Sequence, residues 1–485
     1  MPKSKIKNQK SHLTLDRREL LWRVGGGMGG VALAWLMQQE ALAAGRAAPA
    51  PKPGVATHFP PKAKRVIQIF LSGGVSHLDT FDYKPELEKL DGKPLTGKGT
   101  VDTFFAQPGN LMKSPWAFQR RGKSGLWVSD LLPHLAGCAD DLTVFNSLVG
   151  QSNNHTPGAF MMNSGFTMNG FPSMGSWISY GLGSENEELP AFVVLPDPRQ
   201  LPAGGAINWT AGFLPAAHQG VMFRTQGDPV PDLSPAQPIA PATESASRTL
   251  LNQIDREFER QNPGESSVAA RIRSYELAAR MQLSVPEVAR IDAESAATRA
   301  LYGIEDPAAK SFGRNCLLAR RLLEHGVRFV QLYHGGAFGS PRVNWDAHED
   351  IKENHTKEAG TMDRPVAALL QDLKQRGMLD DTLVIWCTEF GRTPFTQGVG
   401  KPGRDHHQHV FSCWMAGAGL KPGMAFGESD DVGYAAGRDP VTIHDFHATI
   451  LHLLGLDHKR LTYYHNGIQR RLTNVEGEVV KGVLA

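Results

Sequence analysis

Five short apolar runs constrain this chain most: Arg65–Leu71, Leu142–Phe145, Phe192–Leu195, Phe329–Leu332 and Leu383–Cys387. A strand wetted on one face alternates apolar and polar residues. These runs show no clear alternation, which is the pattern of strands buried on both faces of a parallel sheet. Helical patterns lie between them and stop at glycine, 315–325 before Gly326 and 363–376 before Gly377, where glycine serves as the C-terminal cap. Strand and helix in alternation predict an α/β fold with a mainly parallel sheet. In such sheets, ligands bind at the carboxyl ends of the strands.

The rhythm breaks over residues 196–306. Proline and glycine dominate as far as Pro241, and polar helical stretches follow near 245–261 and 268–282. This segment reads as a largely helical insertion in a main domain spanning 62–485. At the other end, Thr14-Leu15-Asp16-Arg17-Arg18-Glu19-Leu20-Leu21 resembles a twin-arginine export signal, with small residues for a signal peptidase at Ala41-Leu42-Ala43. Residues 1–44 are therefore expected to be a signal peptide and 45–61 a linker, which places the mature protein in the periplasm or outside the cell. The apolar stretch from Val24 to Leu36 is too short and glycine-rich for a stable membrane span. A formal net charge of +2 gives no field to attract nucleic acid. Cys138, Cys316, Cys387 and Cys413 are scattered without a CxxC pair, and Cys387 and Cys413 sit in apolar runs as buried thiols do.

The chemistry concentrates between Val343 and His409. Asn344-Trp345-Asp346-Ala347-His348-Glu349-Asp350 opens the stretch, Thr388-Glu389-Phe390-Gly391-Arg392 follows the last apolar run, and Gly403-Arg404-Asp405-His406-His407-Gln408-His409 closes it. Carboxylates and imidazoles suit divalent metals, and three clusters at element edges read as loops converging on one. Arg392 and Arg404 are placed to pair with the anionic oxygens of an ester. On the helical stretch 443–455, His447 and His452 lack the i, i+4 spacing that brings two imidazoles together, and His444 and Asp445 fall in the first turn.

These clusters have company elsewhere in the chain. The Leu71-Ser72-Gly73-Gly74 loop runs into Ser76-His77-Leu78-Asp79-Thr80-Phe81-Asp82, and Asn154-His155-Thr156-Pro157-Gly158-Ala159 follows the second apolar run. Together with the three clusters and the 443–455 helix, they resemble an exported bacterial family known as domain of unknown function 1501, over nearly the whole mature chain. That family is similar to the alkaline phosphatase and sulfatase superfamily. The resemblance implies an alkaline phosphatase-like, doubly wound α/β fold with divalent ions, two of them (Zn, Mn, Ca or Mg), at the strand ends. The implied metal ligands are Asp79, Asp346, His348, Glu389 and one of His406 and His407.

The pattern also departs from the superfamily. The histidine four residues after Asp346 is replaced by Asp350, and Phe390 stands where an imidazole is usual. His155 falls on the nucleophile position, with Thr156 one residue late and Ser152 nearby. No cysteine lies there to become formylglycine. Attack by His155, by Thr156 or by water at the metal, and no catalysis at all, stay open. The expected function is an exported metal-dependent hydrolase of phosphate or sulfate esters, acting on a small molecule or glycan, with Arg392 assisting. The alternative is a non-catalytic, metal-stabilised binding or scaffold protein on the same fold.

Overall fold

The computed structural model describes residues 57–97, 101–104, 107–230, 239–261, 266–336, 343–398 and 400–485. The twin-arginine stretch and all but the end of the expected linker lie outside them. Nine strands form the main sheet of the described residues: β1 (Arg65–Leu71), β2 (Leu142–Val149), β3 (Phe192–Leu195), β4 (Val221–Met222), β5 (Phe329–His334), β6 (Thr382–Cys387), β7 (Phe411–Gly417), β8 (Met424–Phe426) and β9 (Val441–Thr442). Their order is β8-β2-β7-β6-β1-β5-β3-β4, with β9 also pairing β2. Every pairing is parallel except those of β7, which runs antiparallel between β2 and β6. The fold is thus α/β around a mainly parallel sheet.

The unbroken apolar runs are buried on both faces. Along β1, Ile67, Ile69 and Leu71 join one core, which includes Leu317 and Leu322 of α5 (Lys310–Glu324) and Leu369 and Leu370 of α6 (Ile351–Gln375). Val66 and Phe70 join the other, with Trp177 and Ile178 of α2 (Met174–Leu182) and Ile450 and Leu451 of α7 (Ile443–Leu453). Each such side chain contributes about 1.5–3 kcal/mol when fully buried. Gln68 interrupts the second face and is met by amides. It donates to Asn163 Oδ1 at 3.1 Å and accepts from Gln331 Nε2 at 3.1 Å. Asn163 belongs to α1 (His155–Ser164), so this bond seats α1 against the sheet. His447 of α7 holds the far end of α1 by donating from Nε2 to the Met162 carbonyl at 2.8 Å.

Several boundaries differ from the sequence reading. α6 begins at Ile351, twelve residues before the expected start, because Asp350 caps it by accepting from the Glu353 amide at 2.9 Å and the helix continues through Pro365. Asp445 closes a capping box with Thr442 at the start of α7. Within 196–306, Val221–Met222 adds β4 to the sheet edge. A separate compact unit takes in residues 234–272, where α3 (Pro241–Gln261) and the first turns of α4 (Ser266–Val288) are described. All four cysteines are buried and free. No helix of the described residues is long and apolar enough to cross a membrane.

Candidate metal centre

Because eight strands run one way, their carboxyl ends share one edge, and antiparallel β7 starts at that edge. Four side chains meet there. His155 is the first residue of α1, just past β2. Asp346 and His348 lie on the loop between β5 and α6. His406 lies on the strand Arg404–His407, which pairs antiparallel with Gly391–Gln397, so that Arg392 faces His406 and Gly391 faces His407. Strand alternation then chooses between the two histidines: His406 turns into the cluster, while His407 points away and bonds the Tyr434 carbonyl.

Asp346 Oδ1 is the hub. His348 Nε2 stands 2.7 Å from it, His406 Nε2 3.1 Å, His155 Nε2 3.3 Å and Arg392 Nη2 2.7 Å. The Nε2 atoms of His348 and His406 are 2.9 Å apart. Each ring is fixed from behind through Nδ1. His155 Nδ1 is 2.7 Å from Glu389 Oε1, His406 Nδ1 is 2.6 Å from the Asn153 carbonyl oxygen, and His348 Nδ1 meets Gln397 Oε1. These partners only accept hydrogen bonds, so each neutral imidazole donates from Nδ1 and presents its Nε2 lone pair to the centre.

The Nε2 atoms of His155, His348 and His406 each face Asp346 Oδ1 at 2.7–3.3 Å, a crowding that a shared proton or a bound cation relieves. For an ion with bonds of about 2.0–2.1 Å, tetrahedral ligands sit about 3.3 Å apart. His155, Asp346 and His406 are the group of the described residues whose ligand atoms all fall within 4.8 Å of one another; His348 lies outside that group but reaches Asp346 and His406. The set fits a divalent metal, with Glu389, Gln397 and Asn153 as the orienting outer contacts.

Burial penalises charge on Asp346, but the Arg392 guanidinium and the three imidazoles outweigh it and hold the carboxyl far below the usual range. Burial also works against a proton on His155, yet its bonds to Asp346 and Glu389 raise it above an ordinary histidine. At His406 burial wins and pushes the imidazole well below its usual value, so the ring stays neutral.

The remaining sequence candidates stand apart from this cluster. Asp79 is wholly buried and paired with Arg404, whose Nε donates to Oδ2 at 2.9 Å; Ser76 Oγ bonds the same carboxylate. Two arginines link it to Asp346, since Arg392 Nη1 donates to the Arg404 carbonyl at 3.2 Å. Arg392 itself has no exposed surface. Its guanidinium is spent on Asp346 and on the Gly73, Gly74 and Arg404 carbonyls, so it faces no ester oxygen. Glu389 is a brace rather than a member of the hub, accepting also from the Gly73 amide at 2.8 Å. Phe390, in the place of the expected imidazole, packs its ring 4.7 Å from His406 and 5.0 Å from His155. Thr156 sits half-buried in the first turn of α1, its amide capped by Asn154.

Asn153 and Gln397 carry no signal in the sequence. One acts through a backbone carbonyl, which leaves no signature. The other is an ordinary glutamine until the hairpin register is known. The Ser72-Gly73-Gly74 turn is compelled by space. Gly73 has φ +129 and a Cβ there would sit 2.8 Å from the Asp346 amide, while Gly74 has φ +67 and would meet the Phe390 ring at 2.5 Å.

No curated protein matches the sequence. Among solved structures, the chain is similar to a protein in the alkaline phosphatase superfamily from Vibrio parahaemolyticus, at 11% identity over 83% of this chain and 69% of that one, with a TM-score of 0.34. It is also similar to the lipoteichoic acid synthase LtaP from Listeria monocytogenes, at 11% identity over 86% and 78%, TM-score 0.32. A third likeness is the C-terminal periplasmic domain of EcEptC from Escherichia coli, in complex with Zn, at 9% identity over 89% and 98%, TM-score 0.33. The family model described as "protein of unknown function (DUF1501)" matches residues 63–484, and the chain belongs to that family.

Proposed function

We propose that this protein is an exported, metal-dependent hydrolase of phosphate or sulfate esters, working with one ion. The observation that carries the reading is the convergence of His155, His348 and His406 Nε2 on Asp346 Oδ1 at the carboxyl edge of the sheet. A divalent ion bound there supplies Lewis-acid stabilisation of charge on the ester oxygens. Arg392 keeps Asp346 ionised, and Glu389 fixes the His155 tautomer. The amino end of α1 adds its positive dipole beside the cluster and favours an anionic group there. His155 is committed at both nitrogens, so Thr156 Oγ is the chain's own candidate attacker. One ion rather than two is argued from charge: the Arg404 guanidinium already neutralises Asp79, where a second ion would need a free carboxylate.

A second reading, a metal-stabilised binding protein without catalysis, is favoured by the closeness of the site. The His155 and His348 side chains are each 15% exposed and that of His406 is 1% exposed, with Phe390 packed behind them. A panel of aryl phosphate, phosphodiester and aryl sulfate esters, assayed with Zn²⁺, Mn²⁺, Ca²⁺ or Mg²⁺, separates the two. The hydrolase reading expects turnover of at least one ester, lost in Thr156→Ala with metal retained and lost in His155→Ala together with metal affinity. Turnover that survives Thr156→Ala assigns the attack to water. Tight metal binding with no turnover across the panel removes the hydrolase and leaves the binding protein. For export, replacing Arg17 and Arg18 by Lys is expected to leave the precursor in the cytoplasm; normal export of that variant removes the twin-arginine route.

A further inference from the structure

The loop that carries Asp346 is tied to the sheet by its neighbour. Trp345 is wholly buried, and its indole Nε1–H donates to His334 Nδ1 at 3.0 Å. His334 ends β5 and is 1% exposed. Its Nε2 lies 2.8 Å from Thr361 Oγ1, and the Thr361 hydroxyl donates in turn to the Glu358 carbonyl at 2.8 Å. With its one proton spent on Glu358, Thr361 accepts from His334, which fixes the proton on Nε2 and leaves the Nδ1 lone pair for Trp345. Donation in this relay thus runs one way, from the Asp346 loop through β5 to α6.

The relay is braced on every side. The Glu358 carboxylate takes a two-pronged pair from Arg199 at 2.7 and 2.9 Å, and Arg199 also grips Asp197. Asp197 Oδ2 accepts from the amide of Gly335, next after His334, at 3.1 Å. Phe312 packs edge-on against the His334 ring at 4.6 Å, and His355 stands perpendicular to Trp345 at 5.0 Å. None of His334, Thr361, Glu358 or Arg199 stands out in the sequence.

We propose that His334 is a positioning residue for the metal centre, setting through the Trp345 indole where the Asp346 carboxylate stands. The inference rests on the metal reading of the cluster. Outer contacts that orient ligands typically change metal affinity by about 10–100-fold when removed.

The test compares Trp345→Phe, His334→Leu and His334→Asn by titration with Zn²⁺ against a chromophoric chelator, and by amide hydrogen exchange of the 344–349 segment without metal. Phenylalanine removes only the indole donor, so Trp345→Phe is the variant least liable to misfold. It and His334→Leu are expected to weaken Zn²⁺ binding by about 10–100-fold and to speed exchange across 344–349. Asparagine keeps an acceptor near the Nδ1 position, so His334→Asn is expected to recover most of the affinity and protection. Wild-type affinity in Trp345→Phe, or equal losses in the Leu and Asn variants, overturns the proposal in favour of simple packing. Absence of Zn²⁺ binding by the wild type overturns the metal reading instead, and the exchange comparison then still decides whether His334 holds the loop.

Discussion

Asp346→Asn is expected to lose the metal and to destabilise the metal-free protein by about 3 kcal/mol or more. Three imidazoles and one guanidinium converge on a single oxygen of Asp346, with Arg392 fully buried behind it. Asparagine keeps the shape but withdraws the charge, so the Arg392 guanidinium is left in the interior without a counter-ion. Removing one partner of a buried ion pair typically costs about 3–5 kcal/mol. The carbonyl contacts of Arg392 place this case at the lower end. Asp79→Asn is the informative companion, because Arg404 is as deeply buried and would be stranded in the same way. A similar loss of stability is expected there, with metal binding kept. Denaturant midpoints and chelator competition on both variants check this, and a loss of metal in Asp79→Asn would return that residue to the ligand set.

A second large effect concerns acid. His77, His355 and His447 are buried and held neutral, each pushed down to about 3. Burial is the chief cause in all three. At His77 the neighbouring His407 adds to it and the Gly433 carbonyl opposes it. In the unfolded chain a histidine titrates near 6.5. Below that pH the unfolded state binds more protons than the folded one, so stability is full above about 6.5 and is lost as pH falls toward 3. Each group contributes a slope of about 1.4 kcal/mol per pH unit. Asp363 acts the other way between about pH 4 and 6, because burial raises its carboxyl to about 6 despite bonds from the His134 and Leu135 amides. For these four groups alone the net uptake is about two protons, or roughly 3 kcal/mol per pH unit, and His407, pushed by burial down to about 4, adds to it. Denaturant midpoints are therefore expected to fall steeply between about pH 6 and 4. His447→Gln keeps a donor for the Met162 carbonyl and should shallow the slope by about one proton. A flat profile over that range would show that these rings are not held neutral.

Much of the scaffold was legible because burial on both faces leaves a direct mark on sequence. β1, β5 and β6 have no polar side that water must reach, and their apolar runs say so. The start of α6 was not legible. Its first three turns are polar and Pro365 sits in the interior, while the capping bond from Asp350 is a matter of geometry. β4 is two residues long in a segment rich in proline and glycine, and it is defined by its pairing with the neighbouring strand.

At the site, the residue types and the three loops that carry them were readable, but their partners were not. His406 and His407 differ by one step along a strand, and only the pairing of Arg392 with His406 says which one turns inward. Asp79 looks like a ligand until Arg404, 325 residues away, is found to neutralise it. Arg392 looks like an anion-binding group until its contacts prove to be carbonyls and Asp346. Such assignments depend on contacts between distant segments, which local patterns do not record.

A single ion is expected to be held by His155, Asp346, His348 and His406. The most direct measurement is a Zn²⁺ binding isotherm of the chelator-stripped wild type beside His406→Ala and His407→Ala. One equivalent should be bound by the wild type, lost in His406→Ala and kept in His407→Ala. Two equivalents in the wild type, or binding that survives His406→Ala but fails in His407→Ala, would contradict that assignment.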